Sequence, residues 1–409
     1  MAGPTFNRRR ALLGGAALLG APLVAGRPAE AAGPDPIPIR GRIANPSHRG
    51  QRVYTGLYFA GPHNRNSIPL FTRHPLNFDR LDWRSEADIR FSLQHLVDLG
   101  LNTVKLSYFG HLGDSDDFAP TWLFSQRRWP HEGGSGNYTE AEQIARVRQL
   151  FDIAHGMGLL VAPLIEVTPN NKFFDYFPHA LDELLFRAGW LLKHFGDAPN
   201  YLRVFDRQGK ARHVLWQIEA IHLGDVDPVA FAAGFDTAAQ LLRERTGHAV
   251  GWGLDVTPLP PYGPHTGPEP ELLRDTASVV MINPFNITSQ GPGAFEPQPD
   301  VTEAERMEYA SAITQRWVGS GIPYVAPLLP GYDPTPEVFP DLTAYGFNAD
   351  WLSQQRELAV RNGNAGVSFD TLNGFTEGYN TYPTEEDGDT ITVWARESVA
   401  AHRRFWTSI

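Results

Sequence analysis

Beyond residue 50 the sequence alternates eight times between a short apolar run and a longer stretch with helical spacing. The runs are Val53–Phe59, Thr103–Tyr108, Leu159–Ile165, Val214–Glu219, Val250–Leu254, Val279–Asn283, Tyr324–Leu329 and Gly366–Phe369. Each has the length and continuous apolar character of a buried parallel strand. Helical patterns fill the gaps at Ser85–Asp98, Thr139–His155, His179–Phe195, Pro228–Thr246, Glu269–Thr276, Thr302–Val318, Asn348–Asn362 and Thr390–Trp406. Two of them open with capping boxes, Thr139-x-x-Glu142 and Thr302-x-x-Glu305. Gly100, Gly196, Gly247, Gly319 and Gly363 stand where a left-handed helix stop is expected. The alternation predicts one α/β domain over residues 51–409, a (β/α)8 barrel with enlarged βα loops. The rival is an open doubly wound sheet. It needs a G-x-G-x-x-G turn after its first strand, and none is there.

Composition narrows the chemistry. The 409 residues contain no cysteine. Disulfides, thiolate metal sites and cysteine nucleophiles are therefore excluded. The net charge of -11 opposes binding to phosphate backbones, so no nucleic-acid partner is expected. Residues 1–31 hold Arg8-Arg9-Arg10, an apolar stretch from Ala11 to Ala25, and Ala29-Glu30-Ala31. This is the order of a basic start, an apolar segment and a small-residue cleavage site. The paired arginines resemble a bacterial twin-arginine export signal, with an ordinary secretory leader as the alternative. Its removal would take away four Arg and one Glu and leave a charge of -14. Residues 32–50 read as a linker. The expected product is a secreted bacterial monomer with no membrane-spanning segment after the leader is removed.

In such a barrel the active site lies at the carboxyl ends of the strands. Six carboxylates stand there in this sequence: Glu166, Glu219, Asp255, Asp333, Asp370 and Glu377. Tyr58, Tyr108, Trp216, Trp252, Tyr332, Phe375 and Tyr379 accompany them. Aromatic faces stack on sugar rings, carboxylates bind hydroxyls, and two carboxyls together can cleave a glycosidic bond. Each residue also has a plainer reading, as helix cap, loop salt bridge or core filler.

These residues resemble a known family. Asn373-Gly374-Phe375-Thr376-Glu377-Gly378 is similar to the Asn-Glu-Trp-x-Glu-Gly signature on the last strand of glycoside hydrolase family 99, the endo-α-mannosidases and endo-α-mannanases. Family 71, the α-1,3-glucanases, is more distantly similar. Leu57-Tyr58-Phe59, Leu99-Gly100-Leu101-Asn102-Thr103-Val104, Val161–Glu166, Pro330-Gly331-Tyr332-Asp333 and Glu386-Asp387-Gly388-Asp389-Thr390 agree in order with other family segments across residues 53–405. The resemblance implies that Glu377 is the general acid/base, that Asn373 is the signature asparagine, and that Glu166 and Asp333 contact sugar. It also exposes a departure. The first glutamate of the signature, which in the family takes the proton from the sugar 2-hydroxyl, falls on Gly374.

Glu219 is the expected replacement. Leu215, Gln217 and Glu219 share one strand parity, and the fourth strand lies opposite the eighth in an eight-membered ring. Asp255 and Asp370 are the alternatives. Tyr58, Trp216, Trp252 and Tyr332 are then expected to hold sugar rings. Gln217, Asn283, Asn373, Glu166, Asp255 and Asp333 are expected to bind hydroxyls. No metal or organic cofactor is expected, because the 14 histidines form no H-x-H or H-E-x-x-H pair. His111 and His222, at strand ends, read as structural or substrate-touching. There is no G-x-S-x-G nucleophile elbow. Lys105 could serve a Schiff-base aldolase only if buried with a lowered pKa. The expected substrate is an α-linked oligo- or polysaccharide; a sugar-binding barrel without turnover is the competing reading.

Overall fold

The computed structural model describes residues 39–58, 71–81, 85–108, 140–165, 177–217, 228–257, 270–285, 287, 301–334, 344–375 and 377–408. Eight parallel strands form the barrel wall: β1 (Val53–Tyr58), β2 (Thr103–Tyr108), β3 (Leu160–Ile165), β4 (Ala211–Gln217), β5 (Val250–Leu254), β6 (Val279–Ile282), β7 (Val325–Leu328) and β8 (Gly366–Phe369). They pair in chain order, and β8 returns to lie between β7 and β1, with Val53 opposite Gly366 and Val325 opposite Gly366 on the other side. A parallel bridge from Ile282 to Tyr324 joins β6 to β7 and closes the ring. Eight helices alternate with the strands: α1 (Glu86–Asp98), α2 (Glu140–Gly156), α3 (Phe177–Phe195), α4 (Pro228–Thr246), α5 (Pro270–Asp275), α6 (Glu303–Gly319), α7 (Ala349–Asn362) and α8 (Thr390–Thr407). The expected barrel is present, and every expected strand and helix has its counterpart.

Local chemistry sets the helix boundaries. At α6 the Thr302 hydroxyl accepts from the Glu305 N–H, and the Glu305 carboxylate accepts from the Thr302 N–H. Thr139 of the other expected box lies outside the described residues. The glycines after helices divide into two kinds. Gly100 and Gly247 adopt φ of +81° and +80° and stop α1 and α4 in the left-handed region. Gly363 does not; a Cβ there would lie 2.4 Å from the Gly366 carbonyl oxygen and 2.7 Å from the His402 ring. It is required for close packing rather than for its backbone angle.

The strands bury both faces. Val104, Leu106, Val161, Ile165, Leu215, Trp252 and Leu254 join the layer between sheet and helices. Val53, Leu57, Ala162, Leu164, Val214, Trp216 and Val325 fill the barrel interior. The base of the cylinder is stoppered by Ile43, fully buried in that interior cluster and bridged to Val204. Arg203–Phe205 forms a short strand antiparallel to the start of β4 and belongs to the same base. Residues 39–50, placed by the sequence in a linker, are therefore part of the domain: Ile39–Ile409 is one unit. The apolar side chains Ile43 and Ala44 and the main-chain bonds Gly41 N–H to Phe205 O and Ala44 N–H to Arg203 O hold them there.

Candidate active site

At the carboxyl end of β8 the chain makes a two-residue strand, Asn373–Gly374, turns, and returns as Tyr379–Asn380. Glu377 sits in the turn, followed by Gly378 at φ +74°. The residue keeps part of its surface open, while its carboxyl lies among protein groups. The Tyr332 hydroxyl donates to Glu377 Oε1 at 3.1 Å, and the Tyr379 hydroxyl also hydrogen-bonds the carboxyl. Burial pushes the Glu377 carboxyl above the ordinary carboxylate range, and the two tyrosine hydrogen bonds offset part of that. Burial, together with the neighbouring Glu377, also raises both tyrosine pKa values. The rings of Tyr332 and Tyr379 stack at 5.3 Å, and Tyr345 continues the stack at 5.9 Å from Tyr332. The result is a carboxyl whose burial favours its protonated form and whose orientation is set by two tyrosine hydroxyls.

Phe375 is fully buried in a separate cluster with Phe71, Leu81 and Tyr382. Gly374 turns out to be a steric necessity. A Cβ there would lie 2.5 Å from Thr371 Oγ1 and 3.0 Å from the Tyr379 carbonyl oxygen. The hairpin packs too closely to admit the glutamate of the family signature.

A second polar layer lines the interior near the strand ends. Lys105, 2% exposed, donates to Asn283 Oδ1 and lies 5.2 Å from the Trp216 ring centroid. Asn283 Nδ2 in turn donates to the Val325 carbonyl at 3.0 Å. Asn283 thus has both ends of its amide engaged by protein, which corrects its expected role as a sugar ligand. Asp255 Oδ1 accepts the N–H groups of Thr257 and Phe285 at 3.0 and 2.8 Å, so it ties the loops after β5 and β6 together. Asp370 is fully buried within hydrogen-bonding reach of Ser368. Asn373 and Gln217 are 4% and 1% exposed.

The expected aromatic platforms are corrected as a group. Trp252 faces the helices, where its indole N–H donates to the Phe235 carbonyl of α4 at 3.0 Å. Tyr58 also lies in the helix-side layer and shares a hydrogen bond with Tyr382. Trp216 does point into the barrel, but its ring fills the hollow left by Gly253, where a Cβ would approach to 2.2 Å. Tyr332 is committed to Glu377. All four are at most 5% exposed, so none offers an open face for stacking. Large rings at strand ends have gone to the core, where they bury the most apolar surface.

Asp333 is likewise engaged. Its carboxylate pairs with the Arg73 guanidinium, and its own N–H donates to the Glu377 carbonyl at 3.0 Å. It holds the turn that carries Glu377, where the family resemblance implied a sugar contact. The strand-four parity argument needs a similar correction. Leu215 lies in the helix-side layer and Trp216 inside, so Gln217 follows the outward parity. Glu219, Glu166, His111 and His222 lie outside the described residues. Tyr345, Thr72 and Arg73 were not among the expected site residues, and Tyr379 was named only as one of the aromatics beside the carboxylates. Tyr379 carried a signal, two positions after Glu377 on the returning arm; Arg73 carried none, since it lies far from any strand end in sequence. Among the described residues no group of three His, Asp or Glu is arranged to hold a metal, and no helix is long and apolar enough to cross a membrane.

No protein-family model matches the sequence, and no curated protein is similar to it. Solved structures are. The family 99 endo-α-mannosidase of Bacteroides thetaiotaomicron superposes with a TM-score of 0.57 at 14% identity, over 87% of this chain and 99% of that one. A second structure of the family 99 endo-α-mannosidase of that organism gives 0.55 at 13% identity, over 87% and 98%. The endo-1,4-β-mannanase of Rhizomucor miehei gives 0.51 at 8% identity, over 87% and 95%. At these identities the likeness is one of architecture, and it bears out the resemblance read from the sequence at that level: this chain has the (β/α)8 fold seen in the family 99 endo-α-mannosidases.

Proposed function

We propose that this protein is an exported glycoside hydrolase in which Glu377 delivers a proton to the leaving glycosidic oxygen. The observation that carries the reading is the Glu377 carboxyl itself: buried, raised in pKa, held by Tyr332 and Tyr379, and placed at the end of the barrel where such enzymes work. A general acid must keep its proton at the pH where it acts, and burial does this for a carboxyl. The likeness to carbohydrate-cleaving barrels supports a sugar substrate, and the family-like order of motifs favours an α-linked oligo- or polysaccharide. Glu219 is the proposed second carboxyl, acting as base or nucleophile, on the ground that it follows the fourth strand, opposite the eighth in the ring, and not on strand parity. A separation of about 5.5 Å from Glu377 would give retention, and one of roughly 6.5–9.5 Å inversion. The leader read at residues 1–31 belongs to the same proposal.

The test is reducing-end release from a panel of α-linked polysaccharides by the wild type and by Glu377→Gln. Release by the wild type and its loss in a folded variant support the reading; equal release by both removes Glu377 from the mechanism. A second reading, binding without turnover, rests on Gly374, whose surroundings exclude the signature glutamate. Glycan binding with no release by the wild type would establish it.

A further inference from the structure

Three separate segments meet behind Glu377, and one side chain joins them. The stretch after the first strand brings Thr72 and Arg73. The N–H of Thr72 donates to the Phe375 carbonyl at 3.0 Å. The Thr72 hydroxyl donates to the Asp333 carbonyl at 2.6 Å. Asp333 donates its N–H to the Glu377 carbonyl, and a Cβ built on Gly378 would lie 2.8 Å from Asp333 Cβ. The carbonyls of Phe375 and Glu377, which bracket the turn, are thus tied to Thr72 and Asp333.

What keeps Thr72 and Asp333 in place is the guanidinium of Arg73. It pairs with the Asp333 carboxylate, approaches Asp387 Oδ2 at 3.0 Å, donates to the Thr72 carbonyl at 2.9 Å, and lies 4.1 Å over the Phe347 ring. Its side chain is only 13% exposed. A planar, permanently charged fork can serve several acceptors at once, which an ammonium on a flexible stem cannot.

We infer that Arg73 is a positioning residue for Glu377, acting through Asp333 and Thr72 to fix the turn that aims the catalytic carboxyl. The inference rests on the reading of Glu377 given above, but its geometry does not. Without the guanidinium, Asp333 loses its cation, the turn loosens, and water reaches the Glu377 carboxyl. The carboxyl then titrates nearer to an ordinary glutamate.

The experiment compares wild type, Arg73→Ala, Arg73→Lys and Glu377→Gln. The Glu377 titration is followed by carboxyl-carbon NMR of protein labelled in glutamate, with Glu377→Gln assigning the signal. Thermal melting is recorded for every variant. Where release is detected, kcat and KM are measured against pH. In Arg73→Ala the Glu377 titration moves down toward that of an ordinary glutamate and kcat falls about 100-fold, while KM changes less than about threefold. Arg73→Lys recovers part of both. A folded Arg73→Ala that melts lower but keeps the wild-type Glu377 titration shows a structural role alone and overturns the inference. Should Arg73→Ala fail to fold, Arg73→Lys carries the same two readouts; an unchanged titration there, with melting lowered, is equally fatal. The titration does not require turnover. A protein that proves inactive on every glycan would therefore sink the hydrolase reading and still decide the role of Arg73.

Discussion

The two ends of the barrel are built on opposite principles. At the base, Ile43, Val53, Val204 and Val214 close the cylinder with apolar side chains. Nearby, His402 is buried as a neutral ring between α8 and β1, its Nε2 2.6 Å from the Gly363 carbonyl and its Nδ1 3.2 Å from the Tyr54 hydroxyl. At the mouth, the Glu377 carboxyl is buried between two tyrosines and its pKa is raised. Both ends hold a titratable group away from water, and burial disfavours the charged form of each. The shift at the base therefore costs stability as pH falls, and the shift at the mouth costs stability as pH rises. The difference sets apart two burials that respond to pH in opposite directions.

The comparison breaks most sharply at Glu377. Glu377→Gln should lower glycoside release by about 1000-fold, the scale of a lost general acid. Its stability should move the other way. The folded pKa of Glu377 is raised, so the native state holds the proton longer than the unfolded chain, and stability falls as pH rises through that window. Removing the carboxyl should therefore raise the urea midpoint at pH 7. A lower midpoint in the glutamine variant would show that Glu377 is not strained by its site.

At the base the expected effects concern stability alone. Ile43→Ala should cost about 3 kcal/mol, the usual figure for truncating a fully buried aliphatic chain, with glycan binding unchanged; a loss below about 1 kcal/mol would mean the stopper is loosely seated. His402 gives the opposite pH response to Glu377. Burial lowers its pKa from 6.5 to about 4. The unfolded chain therefore takes up a proton first, and stability complete above pH 6.5 is lost as pH falls toward 4. That loss amounts to about 3 kcal/mol, read as a fall in the urea midpoint between pH 7 and pH 4. His402→Gln should flatten the dependence; an unchanged slope would assign the acid lability elsewhere. A smaller effect sharpens the mouth. Tyr332→Phe removes one donor to the carboxylate and should push the Glu377 titration higher, moving the pH profile of kcat upward by roughly one unit.

The base and the wall were legible because parallel strands and amphipathic helices repeat a local pattern. The boundaries of α4 and β5 were read to the residue, and those of α6 to one. The facing of the strands was not legible. In β5 both parities are apolar, so the sequence could not show that Trp252 points at Phe235 while Gly253 makes room for Trp216. The turn that holds Glu377 was legible because it carries a distinctive run of residues. Its partners were harder. Tyr332 and Arg73 are 45 and 304 positions away, and only the closure of the ring brings them to one place.

Ile43 sits ten residues ahead of Val53, the first residue of the barrel wall. A shortened form of the protein that starts at residue 51 would keep all eight wall strands and all eight α-helices described above and still lose its floor. Water would then reach Val204 and Val214 from below, and the exposed ring of apolar side chains would be a ready nucleus for self-association. The safe cut for expression lies before Ile39, even though no regular element begins there.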